Sequence, residues 1–182
     1  MSEQLDTCYS VFAKLETQRT ETLAELCDWS PRRLSFRPTP GSWSATEVLD
    51  HILRAETGTI DNVRVGLRNP HTLGTGDGAR IATLDRALRS DQSFKVPPEA
   101  EMILPDAHTT LQEVAHRWVQ VRVELARLLQ TLAPEDARCG VFYHPFAGWM
   151  TFAEVLNHFS AHLYHHGFQL ARLRLSSADL NL

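Results

Sequence analysis

The chain has 182 residues, 43% of them hydrophobic and 22% charged, with a formal net charge of −4. That length suits one domain, residues 1–182, with a core large enough to need no staples. The mild acidic balance lacks the basic face of a phosphate-backbone binder, which argues against nucleic acid as a partner, and no stretch reaches the ~18 apolar residues of a membrane span.

Residues 1–6 show no basic region followed by an apolar run. Cys8, Cys27 and Cys139 are odd in number, widely scattered and without a Cys-x-x-Cys pair, the usage expected of reduced thiols. These features predict a soluble, cytoplasmic protein.

Residues 3–28 place Leu5, Cys8, Val11, Phe12, Leu15, Leu23 and Leu26 at helical spacing with polar residues between, which predicts a first amphipathic helix. Ser30-Pro31 stops it, and Pro38 and Pro40 make the stretch to Gly41 a loop. Arg32 and Arg33 read there as solvated loop charges. At Ser44 a capping box with Glu47 opens a second helix carrying Val48, Leu49, Ile52 and Ala55. His51 lies about 100° from its apolar centre, so the wheel does not single it out.

Residues 58–106 read as a long connection rich in Gly, Asn and Pro, with one short helix over residues 79–90. Connections of that length cross a bundle from end to end or shape a binding site. A third helix starts near Thr109 or Thr110, runs through Val114, Trp118, Val121, Leu125 and Leu129, and closes before Pro134. Residues 138–150 read as an aromatic loop in which Phe142, Tyr143 and Phe146 should pack over one end of the bundle. Thr151 and Glu154 form a second capping box, opening the fourth helix. Ser44 to His51 and Thr151 to His158 share the pattern [Ser/Thr]-x-x-Glu-Val-Leu-[Asp/Asn]-His, each preceded by a tryptophan, Trp43 and Trp149. Four long amphipathic helices with almost no alternating strand pattern predict an all-α, four-helix bundle with a long crossover between the second and third long helices.

The fourth helix concentrates the chemistry, because His158, His162, His165 and His166 fall within nine residues. Histidine is the commonest transition-metal ligand among side chains. On a helical wheel His166 falls about 10° from the apolar stripe centre and His162 about 50°, whereas His158 and His165 lie roughly 90° and 110° away. His162 and His166 therefore point inward. An inward pair fits either a metal site, completed by a ligand such as His51 from another helix, or hydrogen-bonded core histidines. His71, His108, His116 and His144 read as loop or surface residues. Asp50 and Glu56 read as surface charges, and Glu47 is committed to its capping box.

The run Pro38 to His51, with Trp43, Ser44, Glu47 and His51 in the order Trp-Ser-x-x-Glu-x-x-x-His, resembles the opening of the second helix in the DinB/YfiT-like superfamily. His162, His166 and Gln169 resemble that family's closing His-x-x-x-His-x-x-Gln, and Phe94 to Pro97 and Gly148 stand where such proteins often carry them. The resemblance spans essentially the whole chain. It implies a bundle holding a divalent metal, zinc or nickel, on His51, His162 and His166, with open positions for water or substrate; Gln169 would support a ligand or pack. Many such proteins are dimers, so a homodimer is an expectation. The implied activities are a thiol-dependent S-transferase acting with a low-molecular-weight thiol, or a metal-dependent amide or ester hydrolase. A stress-associated metal-binding protein without turnover is the non-enzymatic alternative.

Overall fold

The computed structural model describes residues 2–92 and 94–178, except for the side chain of Glu99. It is all-α apart from one small hairpin. The elements are α1 (Glu3–Cys27), α2 (Pro31–Leu34), α3 (Ala45–Gly66), α4 (Asp77–Leu88), α5 (Leu111–Thr131) and α6 (Phe152–Ala178), with strands β1 (Phe142–His144) and β2 (Gly148–Met150). No described helix is long and apolar enough to cross a membrane.

Helix starts follow local capping chemistry. Ser44 Oγ accepts from Glu47 N at 3.3 Å, and Glu47 Oε2 accepts from Ser44 N at 2.9 Å. The same reciprocal box joins Thr151 and Glu154, and a third, Thr110 with Glu113, opens α5.

The four long helices form a ring in which α1 packs on α5 and α6, and α3 packs on α5 and α6. Partner order gives their directions. Along α3 and α5, Asp50 meets Arg117, Glu56 meets Arg122 and Arg64 meets Glu124, so these two helices run parallel. Across α3 and α6 the order reverses: His51 meets His162, while Gly66 lies against Val141, ahead of α6. Parallel neighbours cannot be joined by a tight turn. Because α3, with 22 residues, is about 33 Å long, residues 67–110 must return along the bundle, and they do so through α4 and a 3₁₀ segment, Pro98–Ile103.

Two apolar clusters fill the bundle. One gathers Leu15, Val63, Leu125, Leu129, Phe152 and Phe159; the other gathers Leu26, Leu49, Ile52, Trp118, Leu163 and Leu170. Between α1, α3 and α5 lies a buried ionic knot. Glu56 is fully buried, accepting from Arg122 at 2.6 and 2.9 Å and from Trp118 Nε1 at 2.7 Å, and Arg122 Nε also lies 2.7 Å from Glu16.

Several expectations are corrected. Helix α3 continues through Gly58 to Gly66, because Ile60 and Val63 are buried on its inner face; their burial outweighs the ~1 kcal/mol cost of an interior glycine. Asp50 and Glu56 are buried ion-pair partners rather than surface charges. Arg33 is tied down, donating to Ser177 Oγ at 2.9 Å and lying 4.0 Å over the Trp29 ring. Residues 142–150 form a hairpin pairing Phe142 with Met150 and His144 with Gly148. Of the three aromatics expected to pack over the bundle, Phe142 is buried; Tyr143 and Phe146 are 56% and 71% exposed, being outward-facing and at the turn respectively. The hairpin backbone approaches α3 so closely that a Cβ on Gly66 would sit 1.8 Å from the Val141 carbonyl oxygen, which only glycine permits.

Candidate metal centre

The first two turns of α3 and the middle of α6 bring His51, His162 and His166 together, one potential ligand atom from each lying within 4.8 Å of the others. His162 Nε2 is 3.3 Å from His51 Nε2 and 3.1 Å from His166 Nε2. The trio thus converges through Nε2 atoms. His51 and His166 are buried, and His162 is half-buried.

The other ring nitrogens explain why Nε2 faces inward. His51 Nδ1–H donates to the Ile103 carbonyl at 2.8 Å, and His166 Nδ1–H donates to Gln169 Oε1 at 3.0 Å. Each bond fixes a tautomer whose proton sits on Nδ1 and whose Nε2 lone pair points at the centre. Trp43 covers the site, its ring centroid 4.7 Å from that of His51 and 6.4 Å from that of His166.

Burial keeps all three imidazoles neutral. It lowers the pKa of His51, with partial offset from the Ile103 carbonyl and Asp50. Burial, reinforced by neighbouring histidines, pushes His162 well below its ordinary value. Burial and then His51 bring His166 down to about 3, against an opposing bond to Gln169.

This donor set fits a cation. Two lone pairs, on His51 and His166, are aimed at His162 Nε2, and a single N–H there can satisfy only one of them. At metal–nitrogen distances of about 2.0–2.1 Å, tetrahedral ligand nitrogens stand about 3.3–3.4 Å apart, close to the 3.3 and 3.1 Å that separate His162 Nε2 from its two neighbours. The arrangement is therefore compatible with metal binding.

The remaining histidines divide. His158, the echo partner of His51, is outside the trio; its ring lies parallel to that of His162, at 6.1 Å between centroids. His165 is also outside, 5.3 Å from Phe94. His71, His108 and His116 are exposed, as expected of loop and surface positions. His144 departs from that expectation: on β1 it packs against His158 at 5.0 Å, and burial lowers its pKa. Only the hairpin, which lacked a clear alternating pattern, could have revealed this neighbour.

Sequence motifs pointed to Gln169, which supports His166, but missed the support of His51, because the Ile103 carbonyl belongs to the backbone and carries no residue signature. The nearby carboxylates are engaged. Burial raises the Glu47 pKa, but bonds from Ser44 and Arg37 outweigh it and hold the group below its ordinary value.

No curated protein and no solved structure matches the chain. A sequence model of the DinB superfamily matches residues 14–170, a span that includes all three histidines and Gln169. Together with the all-α bundle, that match establishes that the chain belongs to the DinB superfamily.

Proposed function

We propose that His51, His162 and His166 hold a divalent metal, zinc or nickel, and that the protein is a metal-dependent S-transferase acting on a low-molecular-weight thiol. The observation carrying this reading is the convergence of three Nε2 atoms, two of them aimed by Nδ1–H bonds. Three neutral ligands leave the cation its full charge, and three protein ligands leave a coordination position for substrate. The metal would supply Lewis acidity, lowering the pKa of a thiol or water at that position. The chain's own residues hold the ligands, exclude solvent through Trp43, and keep the imidazoles unprotonated.

The thiol reading is favoured over hydrolysis by the state of the α3 carboxylates. Cleaving an amide requires a group to deliver a proton to the leaving nitrogen. Glu47 is held by Arg37 and Ser44, Asp50 by Arg54 and Arg117, and Glu56 by Arg122 and Trp118. A thiol, once deprotonated, needs no such donor to attack an electrophile.

Metal analysis of purified protein should find about one first-row divalent ion per chain. The loaded protein is then incubated with a panel of thiols and an electrophile, alongside amide and ester substrates. Thiol conjugation that disappears in His166→Ala supports the reading. Ester or amide turnover without conjugation replaces it with the hydrolase, and metal uptake with neither activity supports a non-catalytic metal-binding role.

A further inference from the structure

Asp50 precedes His51 on α3, and its carboxylate is wholly buried. Burial of a charge is tolerated only with full pairing. Oδ1 accepts from Arg117 Nη1 at 3.0 Å; Oδ2 accepts from Arg54 Nε at 2.5 Å and from the backbone N–H of Asp106 at 2.8 Å. The arginines neutralise the charge, and the third bond reaches the crossover.

His51 holds the same stretch, since its Nδ1–H donates to the Ile103 carbonyl. Adjacent helix residues diverge by about 100°, so the two side chains grip the segment at different points and in opposite senses. Asp50 accepts from its backbone and His51 donates to it. The segment is stiff. Leu104 N bonds the Glu101 carbonyl at 2.9 Å, closing the 3₁₀ turn, and Pro105 has a fixed φ.

We propose that Asp50 is a positioning residue for the histidine trio. By clamping Asp106 it holds the Ile103 carbonyl against His51, which keeps the His51 proton on Nδ1 and its Nε2 turned toward His162 and His166. Charge pairing alone does not require this arrangement, because Arg54 and Arg117 are 31% and 45% exposed and can be solvated without Asp50. The consequence for metal affinity rests on the proposed metal site; the consequence for the His51 tautomer does not.

The test uses the full chain, metal-free, with ¹⁵N-labelled histidine to read the tautomer by NMR, amide exchange to read the Asp106 bond, and zinc affinity by chelator competition. Asp50→Ala should expose the Asp106 amide, mix the His51 tautomers and weaken zinc binding about 10-fold or more. Arg117→Ala removes one charge partner but keeps the clamp, and should change zinc affinity less than about 2-fold. If Asp50→Ala does not fold, Asp50→Leu, which has a similar volume and likewise offers no acceptor, is read in the same way, with Asp106 exchange and the His51 tautomer expected to move together. Rapid Asp106 exchange with an unchanged tautomer overturns the proposal, as does an effect of Arg117→Ala on the tautomer equal to that of Asp50→Ala. Wild-type protein that takes up neither zinc nor nickel, while the tautomer still follows Asp50, overturns the metal reading and supports the clamp.

Discussion

Gln169→Leu isolates the contribution of one hydrogen bond to the trio. Gln169 Oε1 accepts from His166 Nδ1–H at 3.0 Å, and His166 is only 7% exposed. Leucine fills a similar volume on α6 and offers no acceptor. Left in its present tautomer, His166 would bury an unsatisfied N–H, at a cost of about 1–3 kcal/mol. The imidazole escapes by moving its proton to Nε2, where it faces His162 Nε2 at 3.1 Å. Metal binding must then reverse that transfer, so the same ~1–3 kcal/mol appears as roughly 5- to 150-fold weaker affinity, in the range of about 10–100-fold typical of groups that support metal ligands. Competition against a chelator of known affinity measures the change, with circular dichroism and thermal denaturation as controls for folding. A correctly folded Gln169→Leu protein with zinc affinity within about 2-fold of wild type would refute the idea that this bond sets the tautomer.

His51→Ala, His162→Ala and His166→Ala should each abolish stoichiometric zinc retention on gel filtration, whereas His165→Ala should leave it nearly intact; equal loss from His165→Ala contradicts the assigned ligand set. In metal-free protein the folded-state pKa values of His51, His158, His162 and His166 are all lowered, to about 3 for His158 and His166. The unfolded chain therefore binds more protons below pH ~6.5, and stability should be full above that pH and fall as pH drops toward 3; a urea midpoint unchanged between pH 7 and 5 would contradict this. Glu56→Ala strands Arg122, which is 3% exposed, leaving Glu16 as its carboxylate partner among the described residues, and should cost about 3–5 kcal/mol by urea denaturation. Loss below about 1 kcal/mol would show that water or Glu16 compensates.

The bundle was legible because its evidence is periodic. Leu15, Trp118, Leu125, Phe159 and Leu170 recur at helical spacing and are buried where that spacing puts them. The same phase argument separated His162 and His166 from His158 and His165. It failed for His51, and the reason is specific. A helical wheel assumes one covered face, yet Ala45 through Leu53 are buried without a break. Trp43 and the crossover enclose the side that a bundle alone would leave to water, so Asp50 and His51 are interior despite their angles. Glu56 misled for a related reason. Its partners, Arg122 and Trp118, lie more than sixty residues away, at separations of 66 and 62, and no local pattern records a distant pairing.

The topology itself accounts for the enclosure. Since α3 and α5 run parallel, the chain leaving α3 at Gly66 must travel back to the end where α3 began before α5 can start. That end carries His51. The last part of the crossover, from Pro98 to Thr110, therefore has to pass the candidate site, and it supplies the Ile103 carbonyl to His51 and the Asp106 N–H to Asp50 on the way. An up-down-up-down bundle with a short turn after α3 would bring no backbone to that end, and His51 would lack the partner that turns its Nε2 inward. The long connection and the aim of the His51 imidazole are thus two consequences of one choice, the parallel pairing of α3 with α5.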